Sequence, residues 1–189
     1  NEHVNRFVIV EATLDHAGNS KKLNFNIEKF SKFKNKINYI IVEDIPKNVD
    51  DFKKNWHPAH MRDQFQRNAL ERGYKDFNDE DLIMISDIDE IPNPKKISEF
   101  KIQNKYACFI QKNFQAKINR LNITEEKWPG TKICQKKYLR SPQWLRNIKT
   151  KKRKIWQFYK EKEPQIILDG GWHFSFLKDY NLIKKKIKS

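Results

Sequence analysis

The stretch Asp81-Leu-Ile-Met-Ile-Ser-Asp-Ile-Asp-Glu-Ile-Pro-Asn-Pro94 constrains the fold more than any other. Its apolar run, Leu82 to Ile85, is short, rich in isoleucine and closed by Pro92 and Pro94. That pattern predicts a strand buried on both faces. Three carboxylates follow within four residues: Asp87, Asp89 and Glu90. In extended chain Asp87 and Asp89 point the same way. Two such charges ~4 Å apart repel by roughly 4 kcal/mol at an effective dielectric of about 20. A divalent cation or a raised pKa would offset that cost. Acids at the carboxyl end of a buried strand also lie where open α/β sheets bind ligands. The stretch therefore predicts a hard-metal site for a phosphate-bearing substrate. The plainer account of an Asp-x-Asp pair is a solvated turn before a helix. The apolar run, the third acid and the following Ile-Pro-Asn-Pro favour the site.

Upstream, Phe7-Val-Ile-Val-Glu11 and Tyr39-Ile-Ile-Val-Glu43 repeat the buried-strand pattern. Between them Ile27, Phe30, Phe33 and Ile37 recur at helical spacing, predicting an amphipathic helix. A second helix is predicted from about Pro58 to Arg72, with Pro58 at its first position and Gly73 ending it. Alternating strands and helices predict a mostly parallel central sheet flanked by helices. After Pro94 the rhythm changes. A short helix is expected over 95–102, then strands at 106–110, 114–118 and 132–139, then a helix from Ser141. This predicts a mixed or antiparallel second half on the same sheet. The loop 47–55 reads as charged, and 149–154 as a solvated basic run. Ile166-Ile-Leu168 leads into Asp169-Gly-Gly-Trp-His-Phe-Ser-Phe176, whose glycines imply close backbone approach or an unusual turn. From Asp179 a basic amphipathic helix is expected. The α/β expectation is one domain over residues 1–189, with no boundary and no internal repeat.

The chain carries 39 Lys and Arg against 24 Asp and Glu, a net charge of +15. Such a field suits polyanionic partners or a membrane surface and says nothing about fold. Two cysteines make neither a disulfide framework nor a zinc site. No apolar run reaches the ~20 residues that span a bilayer. These features predict a cytoplasmic protein, at most associated with a membrane surface.

A divalent ion on a diphosphate needs only one or two protein carboxylates. Asp89 is the expected direct ligand, with Asp87 ligating beside it or holding the donor's sugar portion. His173, in a glycine-flanked loop, is the expected distant ligand, with a structural role as its alternative. Asp63 and Arg67 stand four apart and can face one way on a helix. They read as a surface ion pair or as a pair that positions the donor.

Several stretches together resemble glycosyltransferase family 17, whose animal members add the bisecting N-acetylglucosamine to N-glycans. They are Phe7-Val-Ile-Val-Glu-Ala12, the loop Gly18 to Leu23, Asp63-Gln-Phe-Gln-Arg-Asn68, Ser86-Asp-Ile-Asp-Glu-Ile-Pro92, Trp128-Pro-Gly-Thr131, Ser141-Pro-Gln-Trp-Leu-Arg146 and Gly171-Trp-His-Phe-Ser175. The resemblance implies a GT-A-type fold and inverting transfer from a UDP-sugar, expected to be UDP-N-acetylglucosamine, with Mn²⁺ or Mg²⁺. It makes Asp87 and Asp89 the metal and donor motif, and Glu11 and Lys22 nucleotide contacts. Asp63 and Arg67 become a donor-orienting pair, and His173 a metal or diphosphate contact. Glu90 and Asp169 are the two candidates for the base that deprotonates the acceptor hydroxyl. The family's extra strand and helix before Phe7 and its further chain after the last helix have no counterpart here. The domain is thus expected to be truncated at both ends, and the absent anchor and stem suggest a bacterial or viral relative. The expected acceptor is a glycan, for which the +15 charge favours an anionic one. Rival readings from the same residues are a metal-dependent phosphohydrolase or nuclease, and a basic nucleic-acid-binding module using residues 132–162.

Overall fold

The computed structural model describes residues 3–46, 57–152, 154, 156, 157, 159 and 161–177. Contacts divide the chain into two units, residues 1–77 with 141–143 and residue 189, and residues 78–140 with 144–188. The predicted loop 47–55 and the predicted tail helix lie outside the described residues.

The first unit is built on two parallel strands, β1 (Phe7–Ala12) and β2 (Ile37–Val42), in register from Phe7↔Ile37 to Ala12↔Val42. Ala12, Val42, Ile45 and Ala69 form its buried core, with Val10, Leu14 and Phe65 packed against them. Helix α1 (Pro58–Asn68) begins as its sequence predicts: Pro58 stands in the first turn and the His57 side chain accepts from the Ala59 amide. A 3₁₀ turn, Ala69–Gly73, continues it. A Cβ on Gly73 would lie 2.3 Å from a Val8 methyl, so only glycine lets this turn approach β1. The predicted helix between the strands is instead a 3₁₀ segment, Ile27–Lys36, broken at Phe30 and with no buried residue. Asn26 caps it, and Phe30 leaves helical geometry where its ring stacks on Phe25.

The second unit carries a six-stranded mixed sheet. Its strands are β3 (Leu82–Ile85), β4 (Glu90–Pro92), β5 (Tyr106–Gln115), β6 (Lys127–Gln135), β7 (Gln165–Ile167) and β8 (Gly171–Ser175). The order is β3-β6-β5-β8-β4, with β7 also on β5. The carboxylate strand β3 pairs with β6 antiparallel, and β4 with β8 and β5 with β6 also run antiparallel. Only β7 and β8 lie parallel to β5. The α/β class is as expected, while this sheet is mixed with few helices and antiparallel in most of its ladders. The run Leu82 to Ile85 is not buried on both faces as expected: Ile83 and Ile85 are buried, Leu82 is exposed and Met84 half-buried, the one-sided burial that antiparallel sheets allow and that an all-apolar run hides in the sequence. Short 3₁₀ turns, Pro94–Glu99 and Ile102–Asn104, stand where one short helix is predicted. Helix α2 (Pro142–Asn147) is where the sequence places a helix.

Strand β5 runs through two segments predicted as separate. Its middle residues Gln111 and Asn113 are buried amides, which an apolar pattern does not reveal. Phe100, Ala107, Phe109, Ile133 and Ile167 form this unit's core, with Met84 and Ile97 against it. Burial of each large side chain contributes about 1.5–3 kcal/mol. Among the described residues no helix is long and apolar enough to cross a membrane.

Candidate active site

The acidic turn joins β3 to β4, and everything that fixes it lies in the second unit. Glu90 opens β4 and pairs across the ladder with His173 of β8. Its side chain is fully buried. Burial of a carboxylate is costly unless it is paired and hydrogen-bonded. Four donors meet that demand. Arg146 of α2 donates from Nη2 to Oε1 at 2.9 Å and from Nη1 to Oε2 at 3.1 Å. The Trp128 indole donates to Oε1 at 2.9 Å, and the Asp87 amide to Oε2 at 3.1 Å. Burial pushes the Glu90 carboxyl up from its ordinary value, against the pull of Arg146 and Trp128.

Arg146 is the hub of this corner. Beyond Glu90, its Nη2 reaches Asp87 Oδ2 at 2.8 Å and its Nη1 the carbonyl of Gly130 at 2.9 Å. A planar guanidinium serves several acceptors in fixed directions, which a lysine cannot do. Arg146 is held from behind by Lys132, a buried residue of β6 opposite Ile85. The Lys132 ammonium donates to the carbonyls of Arg146 and Ile148, the latter at 2.6 Å, at the carboxyl end of α2. Cations suit that end of a helix. Burial brings the Lys132 pKa down to about 8. The strand before the acids is tied to β6 and β5 by a polar chain that runs from exposed Ser86 to buried Thr131 and Gln111. Ser86 and Thr131 hydroxyls are 2.7 Å apart, and Gln111 Nε2 donates to Thr131 at 3.1 Å.

On the other side of Glu90 the imidazole of His173 lies flat on the Trp128 ring, with centroids 4.2 Å apart and planes at 7°. His173 is buried, and its Nδ1 lies 2.9 Å from Asn113 Oδ1. The Asn113 amide nitrogen donates to the Glu125 carbonyl at 3.0 Å, which orients the oxygen toward the histidine. Nδ1 is then the donor, and in the neutral ring Nε2 carries the lone pair. That nitrogen faces Asp89 Oδ2 at 3.6 Å. Asp89 is partly exposed, and its backbone carbonyl accepts from the Phe174 amide at 2.9 Å. Two electron-pair donors facing each other across 3.6 Å call for a proton or a cation between them.

The structure thus brings Asp87, Asp89, Glu90 and His173 to one corner. Asp87 turns an oxygen to Arg146, while Asp89 faces His173. Among the described residues no three His, Cys, Asp or Glu side chains converge as a ready metal cage. Asp169 lies beyond the Gly171 end of β8, exposed, in left-handed conformation at φ 50°, and within electrostatic reach of Lys96.

Glu11, Lys22, Asp63 and Arg67 belong to the first unit. Glu11, next to last in β1, accepts from Lys21 at 2.6 Å, from the Asn24 and Phe25 amides, from the Asn24 side chain and from the Tyr39 hydroxyl. Burial pushes this carboxyl up, but the Lys21 ammonium and the amides outweigh it and hold it at about 2. Glu11 thereby organises the 21–25 loop. Lys22, beside it, is exposed. Asp63 and Arg67 form the ion pair their spacing predicts, at 3.0 Å, and Arg67 also donates to Gln143.

The sequence alone assigns no role in this corner to Arg146, Trp128, Asn113 or Lys132. The first two do stand in stretches that carry the family resemblance. Asn113 and Lys132 carry no local signal, because their partners lie far away in sequence. A model of glycosyltransferase family 17 matches residues 1–189, the whole chain. The chain belongs to glycosyltransferase family 17 and is a glycosyltransferase. No curated protein and no solved structure matches it.

Proposed function

We propose that the chain catalyses inverting, metal-dependent transfer of N-acetylglucosamine from UDP-N-acetylglucosamine to a glycan hydroxyl, on a GT-A-type scaffold. The observation that carries this reading is the facing pair Asp89 Oδ2 and His173 Nε2. Asn113 engages Nδ1, so Nε2 is the nitrogen turned to the carboxylate at the rim of a buried corner. A divalent cation is the group that both would hold; the carboxylate suits Mn²⁺ or Mg²⁺, and a nitrogen beside it favours Mn²⁺ of the two. Asp89 and His173 would hold it, with Asp87 beside them. Such an ion stabilises the charge that develops on a departing diphosphate.

The chain's own residues do the rest. Arg146 and Glu90 keep the turn from collapsing, so Asp89 presents its carboxylate outward. Trp128 fixes the plane of His173. Lys22, Asp63 and Arg67 are assigned to donor contacts, and Glu11 holds the loop that bears Lys22. Of the two carboxylates offered as base, Glu90 has both oxygens occupied by donors. Asp169 is exposed, so the acceptor proton is assigned to Asp169. The sugar's anomeric carbon gains oxocarbenium character as its bond to the diphosphate breaks, and the acceptor oxygen attacks from the opposite face.

The test is a thermal-shift screen of UDP-, GDP- and CMP-sugars with and without Mn²⁺. A ligand that binds only the native state raises the melting temperature with the logarithm of its saturation. UDP-N-acetylglucosamine with Mn²⁺ is expected to give the largest shift. An equal shift from every nucleotide sugar, unchanged by Mn²⁺, would refute the donor and metal assignments.

A further inference from the structure

A cavity of about 890 Å³ opens in the second unit, away from the acidic turn. Its wall includes Tyr106 at the start of β5 and Tyr138 just after β6. The acidic corner draws on Asn113 and Trp128, near the opposite ends of the same two strands. Tyr106 and Asn113 are seven residues apart on β5, about 23 Å at roughly 3.3 Å per residue. The cavity is therefore a separate place, and no group in it takes part in the chemistry proposed above. Its size is within the roughly 300–1,000 Å³ of small-molecule clefts.

Its chemistry is mixed in a specific way. Tyr138 and Trp144 offer aromatic surface, and cations gather on both. Lys105 and Lys137 each lie 5.5 Å from the Tyr138 ring centre, and Arg140 lies 5.1 Å from that of Trp144. Lys137 is paired with Glu80 and Arg140 with Glu161. Lys105 and Lys162, also in the wall, have no carboxylate partner among the described residues. Lys105 further adopts φ 63° and ψ −45°, a strained conformation for an L-residue of the kind that recurs at ligand sites. Amide side chains and the carboxylates Glu161 and Glu163 complete the wall.

Aromatic faces with amides and carboxylates suit sugar rings, whose hydroxyls both donate and accept. Lys105 and Lys162 ask for an occasional negative charge. A nucleic acid, with one charge per nucleotide, fits less well against a wall that holds carboxylates. We propose that this cavity binds a hydroxyl-rich, sparsely anionic oligosaccharide. Its use as a distant anchor for a long acceptor rests on the transferase reading; the binding itself does not.

The test is isothermal titration calorimetry on the full chain, with no donor present. The probes are a hyaluronan hexasaccharide, neutral chitohexaose and a six-nucleotide oligodeoxyadenylate. Hyaluronan is expected to bind about tenfold more tightly than chitohexaose and more tightly than the oligonucleotide. Lys105→Glu with Lys162→Glu is expected to weaken it at least about tenfold, as is Tyr138→Ala, whereas Asp89→Ala leaves it unchanged. The proposal is overturned if hyaluronan does not bind, if the oligonucleotide binds as well, or if Asp89→Ala abolishes binding while the charge reversals do not. Because no turnover is measured, failure of sugar transfer and failure of this site remain separate results.

Discussion

Glu90 and Arg146 form a buried pair, and removing one partner strands the other. Loss of one member of such a pair costs about 3–5 kcal/mol, chiefly from the uncompensated charge. Arg146→Met is therefore expected to lower unfolding stability by about that much in urea titration, more than Glu90 and Arg146 replaced together by apolar residues. A double variant that loses as much as the two single variants summed would mean that the pair is not coupled. Lys132 has a sign that can be checked. Burial lowers its pKa to about 8 from an ordinary 10.5. The unfolded chain thus binds more protons than the native one between those values, and folding stability should rise as pH rises from about 8 to 10.5. Lys132→Met should remove that rise, seen as the difference between the two proteins' stability profiles. Glu11 behaves oppositely. Its folded pKa of about 2 lies below the ordinary 4.5, so its contribution is present above pH 4.5 and lost as pH falls toward 2. Glu11→Gln should flatten the acid limb of the profile. It should also cost about 1 kcal/mol near pH 7, because half-buried donors lose a charged acceptor.

The acidic turn depends on the pairing of β4 with β8, which the sequence marks with Gly170 and Gly171. Gly171 adopts φ 133°, and a Cβ there would sit 2.1 Å from the carbonyl oxygen of Ile91. No side chain can shift to relieve a clash with backbone. Gly171→Ala should therefore force β8 off β4 and move His173 away from Asp89. Hydrogen exchange is expected to show lost protection at the Ile91–Trp172 ladder, with amides of β1 and β2 unaffected. Unchanged protection in β4 and β8 would mean that this close approach is not what aligns Asp89 with His173. That the glycine pair allows a close approach is legible in the sequence. Which backbone it approaches is not, because Ile91 and Gly171 are distant in the chain and meet only through the β4–β8 ladder. Strand β5 shows the same limit: Gln111 and Asn113 interrupt its apolar run, yet they are buried because Thr131 and His173 await them.

Across the whole chain, what is legible in the sequence is whatever is written locally. The strand before the acids, the capped helix at Pro58 and the acids themselves are local patterns, and the family match spans residues 1–189. The antiparallel partner of β3 is illegible, because apolar residues on both of its faces hide its one-sided burial and carry no directional mark. Arg146 is equally hidden: nothing in its neighbourhood says that it reaches back 56 residues to Glu90. The molecule's central claim is that sugar transfer takes place where Asp89 faces His173. The measurement that tests it most directly is UDP release from UDP-N-acetylglucosamine, in the presence of Mn²⁺ and a glycan acceptor, by the native chain and by Asp89→Ala. Transfer is predicted to fall at least about a hundredfold in a variant whose urea midpoint is unchanged, of the size seen when a group stabilising developing charge is removed. Undiminished transfer by folded Asp89→Ala would contradict the account.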